Sequence, residues 1–312
     1  MTSDIWLVVQ WSDILSPMRR IAALLSLLLT AGSSVASVQS TAPDQTSDYL
    51  DVGGSKIYYE EAGTGSATIV LLHDGLLGSE SWNEVWDKLA AKYHVIRYDR
   101  RGYGRSEPAK VAFSPSDDLA KLLTHLKAQP AVIVGSSSGG ALAIDFAIAH
   151  PEMVSGLFLI GPVLHGMRYT EYFLARAHRN VEPFEKKGDI KAAIKNWSED
   201  RFLIANGHDQ ARKKFYDALL ASSQNLKYDP QFEKKLSPPA SQRLAEIKAP
   251  TLILAGESDI ADVHAHCGAI NTGIRDSQRV VLKDAGHLVQ LDCPDEVVRQ
   301  LIVFATKIAE SR

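Results

Sequence analysis

Six short, almost wholly apolar runs punctuate this chain, at residues 67–72, 95–98, 131–134, 157–160, 251–255 and 279–282. Their hydrophobicity is continuous rather than alternating, the pattern of strands buried on both faces of a sheet. Amphipathic helical patterns separate them. In 81–91, Trp82, Val85, Trp86 and Leu89 recur at helical spacing behind Ser81 and Glu84, a capping-box pair. In 116–128, Leu119, Leu122, Leu123 and Leu126 share a face, and a third helix over 139–149 is stopped by Pro151. Strands alternating with helices predict an α/β fold, a mainly parallel sheet covered on both sides. Ahead of them, 49–52 and 56–60 flank Gly53-Gly54, a hairpin signal that opens an antiparallel edge.

One stretch breaks the rhythm. From 163 to 248 no buried-strand run occurs, and helical patterns follow one another at 168–179, 189–204 and 210–221. The expected organisation is a core of 49–162 and 249–312 carrying a helical insertion, 163–248. Placed after a strand beside catalytic residues, it is expected to act as a lid that excludes water and shapes the pocket.

The N-terminus reads as an export signal. Met18-Arg19-Arg20 precede an apolar run, 21–30, and small residues, with Ser34-Val35-Ala36 offering a cleavage site after Ala36. Residues 1–17 lie upstream of an otherwise complete signal, so Met18 is an alternative start. The apolar run is too short for a bilayer span of about 20 residues, and 37–48 is a polar linker. The mature chain is expected to be periplasmic or secreted, with no stable membrane span. Cys267 and Cys293 are the only cysteines; in an oxidising compartment they form one disulfide or stay as buried thiols.

A formal net charge of -3, with Lys and Arg dispersed, offers no footprint for nucleic acid. The expected partner is a small-molecule substrate. No His/Cys spacing resembles a zinc site, His264 and His266 being only two apart, and no metal or other cofactor is expected.

The chemistry is concentrated in Val134-Gly135-Ser136-Ser137-Ser138-Gly139-Gly140, where Gly-x-Ser-x-Gly follows an apolar strand and opens a helix. Glycines flank Ser137 because a nucleophile on so sharp a turn leaves no room for neighbouring side chains. The helix N-terminus favours developing negative charge. A serine hydroxyl needs a base, and His287, in Asp284-Ala285-Gly286-His287 after the last strand, is the leading candidate. His73 is its rival but is expected to pack structurally. The acid that orients the histidine is expected after the strand at 251–255, with Asp259 first, Asp262 next and Glu257 third. Two backbone donors are expected for an oxyanion: the N–H of Ser138, and one from the loop 73–78, with Gly75 the choice.

With these residues in order, the chain resembles the α/β-hydrolase superfamily over almost all of its mature region. The resemblance rests on Leu71-Leu72-His73, the segment 98–106 containing Asp99-Arg100-Arg101-Gly102, the Ser137 turn, and the Asp259 and His287 loops. It implies an eight-stranded sheet and a Ser-His-Asp triad that forms an acyl-enzyme. It also makes Asp99 and Arg101 scaffold, and points to esters or lactones ahead of amide, thioester or carbon-carbon bonds. A non-catalytic ligand-binding protein and a cofactor-free perhydrolase are the alternative readings. The chain departs from the family pattern at Asp74, where glycine usually follows the histidine. A carboxylate there repels negative charge or binds a polar group of the substrate.

Overall fold

The computed structural model of the protein describes residues 45–310. The upstream extension, the expected signal segment and residues 37–44 lie outside them. The strands are β1 (Gln45–Asp51), β2 (Lys56–Ala62), β3 (Thr68–Leu72), β4 (His94–Tyr98), β5 (Ala131–Ser136), β6 (Val154–Ile160), β7 (Thr251–Gly256) and β8 (Ser277–Leu282). They form one sheet in the order β1-β2-β4-β3-β5-β6-β7-β8. Only β1–β2 and β2–β4 run antiparallel. The first strand starts at Gln45, so the polar linker contributes its last four residues to the edge hairpin. Gly53 and Gly54 make the hairpin turn at positive φ, 92° and 80°.

The α-helices are α1 (Asn83–Ala90), α2 (Pro115–Leu126), α3 (Ser138–Ala149), α4 (Glu171–Lys187), α5 (Ile190–Ser198), α6 (Asp209–Ala221), α7 (Ala261–Gly273), α8 (Val289–Asp292) and α9 (Pro294–Glu310). Alternate residues of the central strands feed two cores. Val70, Leu72 and Ile133 pack with Leu119 and Leu123 of α2, Phe146 of α3 and Ile270 of α7. Ile69, Leu71, Val132 and Val134 pack on the other face with Trp86 of α1 and Phe304 of α9.

Two local expectations fail for physical reasons. The capping box at Ser81 and Glu84 does not form: 79–82 is a single 3-10 turn and α1 begins at Asn83 without a side-chain cap. The backbone N–H groups there are already engaged, Ser79 donating across the fold to Asp99 at 2.7 Å and Gly78 to the neighbouring Glu80 at 2.9 Å. The run 279–282 is not buried on both faces, because β8 ends the sheet with β7 as its one neighbour and leaves Val281 47% exposed.

Three helices, α4 to α6, fill the connection between β6 and β7. The helix expected over 189–204 stops at Ser198, because the following turn engages another part of the chain. There the carbonyls of Phe202 and Leu203 accept the backbone N–H groups of His287 and Leu288 at 2.7 and 3.0 Å. Ile194, Phe215 and Leu219 of this insertion form one apolar cluster with Leu77, Leu288 and Leu291. Cys267 and Cys293 are free thiols, the first buried. Among the described residues, no helix is long and apolar enough to cross a membrane.

Candidate active site

Strand order reverses between β3 and β5, so the connections on either side wind away and leave a crevice at the carboxyl ends of these strands. Five segments end there in spatial sequence: the loop 73–78 after β3, Ser137 after β5, Gly161 after β6, Asp259 after β7 and His287 after β8.

Ser137 has φ 53° and ψ -115°, a conformation that L residues avoid. Such strain costs about 1–3 kcal/mol and persists only where the surroundings enforce it. Here the Ser137 N–H donates to Ile160, and its carbonyl accepts from Ala141 and Val163. A side chain at Gly135 would fall on the Gly139 carbonyl, and one at Gly139 on the carbonyls of Leu72 and His73. Both positions therefore need glycine. The serine side chain stands, partly exposed, at the N-terminus of the twelve-residue α3. Among the described residues its Oγ makes no hydrogen bond; in unliganded enzymes such bonds are often long and tighten with substrate.

His287 and Asp259 are brought together, the ring Nδ1 lying 2.8 Å from Oδ2 with the carboxylate fully enclosed. The other oxygen, Oδ1, accepts the Ile260 N–H at 2.7 Å. This leaves Nε2 as the ring nitrogen facing away from the carboxylate. Burial opposes charging this imidazole, but Asp259 outweighs it and sets the pKa above the ordinary histidine value; Asp74 adds to the rise and Arg176 opposes it. The rival acids are engaged elsewhere: Asp262 accepts the Thr170 N–H and hydroxyl at 2.6 and 2.9 Å, and Glu257 is exposed. Gly161, at φ 48°, is the floor beneath the pair, and a methyl there would stand 3.0 Å from Nδ1 and 3.2 Å from Oδ2.

The loop 73–78 is bolted to the turn after β4. Arg100 donates its N–H to His73 Nε2 at 2.9 Å, so Nδ1 carries the ring proton and donates to the Asp74 carbonyl at 2.7 Å. Burial, with Arg100 adding to it, holds His73 far below the usual histidine pKa, and the ring is a neutral structural strut. Arg100 Nη2 bridges the Asp74 carbonyl and Ser138 Oγ at 2.8 and 2.9 Å. One guanidinium thus ties Asp74, the residue before Gly75, to Ser138; Gly75 and Ser138, whose N–H groups are the expected oxyanion donors, are both partly exposed. Asp99 and Arg101 lie in the scaffold, Asp99 receiving Ser79 and Arg105, and Arg101 paired with Asp118 in the interior.

Several contributors carry no motif. The Asp292 side chain is completely buried and its Oδ2 accepts from Ala205 and Gly286, which joins the insertion to the histidine loop. Arg176 of α4, also buried, pairs with Asp200 at 2.6 Å beside Phe202. Gly161 alone had a visible cue, the Gly-Pro step that ends an apolar strand.

The model of the Alpha/beta hydrolase family matches residues 69–300. The 2-hydroxy-6-oxo-6-(2'-aminophenyl)hexa-2,4-dienoic acid hydrolase of Metapseudomonas resinovorans is 25% identical, over 84% of this chain and 91% of its own length. The 2-hydroxy-6-oxononadienedioate/2-hydroxy-6-oxononatrienedioate hydrolase of Cupriavidus pinatubonensis is 29% identical, over 86% and 98% respectively. Among solved structures, Est816, described as an N-acyl homoserine lactone degrading enzyme, superposes with a TM-score of 0.66 at 25% identity. That match covers 82% of this chain and all of the other.

Proposed function

This chain belongs to the alpha/beta hydrolase family, and from that premise we propose that it is a serine hydrolase cleaving a small-molecule ester or lactone through Ser137, His287 and Asp259. The observation that carries the reading is the enclosed His287–Asp259 hydrogen bond, two strands from a serine held at positive φ on a helix N-terminus. His287 Nε2 takes the proton as Ser137 Oγ attacks the carbonyl, while Asp259 holds the tautomer and stabilises the imidazolium. The oxyanion forms against the N–H groups of Ser138 and Gly75. The tetrahedral species collapses, His287 protonates the leaving alcohol, and water activated by the same ring releases the acid.

A lactone-degrading structural neighbour supports the choice of bond. The two relatives named for dienoate hydrolysis favour a second reading, cleavage of a carbon-carbon bond beside a ketone. The proposal includes the insertion 163–248 acting as a lid and export through the segment ending at Ala36, which N-terminal sequencing of the secreted chain would check.

A fluorophosphonate probe tests the chemistry. The chain is expected to label, with labelling and p-nitrophenyl ester hydrolysis both lost in Ser137→Ala. A folded wild-type protein that does not label favours the ligand-binding alternative, and peroxide-dependent halogenation without ester hydrolysis favours the perhydrolase. Turnover of a 2-hydroxy-6-oxo-dienoate without ester turnover would move the assignment to the second reading.

A further inference from the structure

The segment after β4 carries three arginines, and two of them are engaged by carboxylates: Arg101 pairs with Asp118, and Arg105 with Asp99 and Glu60. Arg100 is different. Among the described residues it forms no ion pair, and its guanidinium carbon lies 4.6 Å from the centre of the Tyr103 ring. Its Nη2 donates instead to neutral acceptors, the Asp74 carbonyl at 2.8 Å and Ser138 Oγ at 2.9 Å. A partly buried cation without a counter-ion is costly to keep, and negative charge that develops within its reach stabilises it.

Those two acceptors border the place assigned to an oxyanion. The Asp74 carbonyl and the Gly75 N–H are opposite ends of one trans peptide, so whatever grips the oxygen aims the hydrogen the other way. That oxygen is gripped by both Arg100 Nη2 and His73 Nδ1, the latter at 2.7 Å. The Asp74 side chain adds a further restraint, since it turns into its own loop and its Oδ1 accepts the N–H groups of Leu76 and Leu77 at 2.7 and 3.0 Å. The Gly75 N–H itself donates to no described residue, and a first side-chain carbon on Gly75 would stand 3.3 Å from Ser138 Oγ. The loop thus faces the start of α3, with Arg100 as the bridge. His73 is neutral, so the charge on this bridge comes from Arg100.

We infer that Arg100 is a positioning residue of the oxyanion site: through the Asp74 carbonyl it orients and polarises the peptide that presents the Gly75 N–H. The inference rests on the serine-hydrolase reading and adds a residue to it. Hydrogen bonds in series strengthen one another, and a charged donor on the carbonyl makes the N–H of the same amide a better donor. In the reaction Ser137 Oγ bonds to the carbonyl carbon, its proton passes to His287 Nε2, and the electron pair of the C=O bond settles on oxygen. Arg100 acts on that oxygen only through the peptide. Its effect is confined to acylation and deacylation, where the charge is present, and substrate binding before attack is spared.

The test uses a carbonyl compound whose adduct keeps the charge. Butyl trifluoromethyl ketone accepts Ser137 Oγ and gives a hemiketal with its oxygen in the oxyanion site, whereas butyl methyl ketone binds without a stable adduct. Wild type, Arg100→Met, Arg100→Gln and Arg100→Lys are compared. Arg100→Met should lower kcat for p-nitrophenyl butyrate by about 10–100-fold, less than the outright loss of a donor, with KM changed by under about threefold. The inhibition constant of the trifluoromethyl ketone should rise by the same factor, and that of the methyl ketone should hold. Fluorine NMR supplies a signature that a loosened loop alone would not give: the hemiketal oxygen should ionise at higher pH in Arg100→Met than in the wild type. Arg100→Lys keeps the charge and should recover part of the loss, and Arg100→Gln, a neutral donor, should recover less. If Arg100→Met does not fold, the Lys and Gln variants carry the same comparison. Hemiketal ionisation that no substitution moves, or inhibition by the two ketones weakened alike, would overturn the role of Arg100. Fluorophosphonate labelling separates the two levels: such a result in a wild type that labels refutes Arg100 alone, and a wild type that does not label refutes the hydrolase reading beneath it.

Discussion

At His287 two demands on one ring run in opposite directions with pH. Burial disfavours the imidazolium, but Asp259, with Asp74 behind it and Arg176 opposing, lifts the pKa above that of a free histidine. Because the folded value is the higher one, the ion pair stabilises the fold fully below the unfolded value, about 6.5, and that contribution fades as pH rises through the folded value. On the proposed mechanism activity follows the other sense, since a general base must be neutral, so kcat/KM should rise as pH passes the raised pKa. Asp259→Asn should lower kcat by about 10⁴-fold and move this limb toward lower pH; a pH-rate profile that does not move would remove Asp259 from its role. Gly161→Ala adds a methyl against the same pair at positive φ, and should lower both activity and melting temperature. Ser137 and His287 stand out in the sequence as candidates because each lies in a local pattern tied to a strand end. Asp259, Asp262 and Glu257 cannot be ranked with assurance that way. All three follow one strand within six residues, and only the third dimension shows Asp262 spent on Thr170 and Glu257 in solvent.

The elements that carry the site differ in how openly the sequence announces them. Buried parallel strands are legible because a sheet covered on both faces needs continuous apolar runs, and β3, β5, β6 and β7 have them. The edge strand β8 does not obey that logic, and the turn before α1 is held partly by Asp99, a side chain supplied from a distant segment. The turn at 199–205 was hidden for a like reason: its hydrogen bonds run to the histidine loop, not within a helix. Asp292 is the anchor of that junction, accepting from Ala205 and Gly286 and lying 2.9 Å from His208. Asp292→Ala would leave two buried N–H groups without partners, at an expected cost of about 3 kcal/mol. Thermal denaturation together with limited proteolysis checks this: melting temperature should fall, cleavage within 199–208 should accelerate, and kcat should drop although residue 292 touches no substrate.

Across the whole molecule, the helical insertion and the α/β core share their apolar interior. Phe215 and Leu219 of α6 pack with Leu77, Leu288 and Leu291 of the core, so neither part can expose its surface without the other. One cooperative transition is expected, with far-ultraviolet circular dichroism and tryptophan fluorescence coincident, since Trp82 and Trp86 report from the core and Trp197 from the insertion. Phe215→Ala should destabilise that single transition by about 3–5 kcal/mol, and two separated transitions would show the insertion to be an independent unit.

The backbone pairing of His287 and Leu288 with Phe202 and Leu203 carries a last consequence. The backbone N–H of the proposed base is held by the insertion while its ring is held by Asp259 after β7, so an outward swing of 202–203 removes one of its two fastenings. Admission of a bulky molecule by that route is then coupled to loosening of the histidine. A compound large enough to wedge the two segments apart should slow its own turnover by displacing the histidine loop.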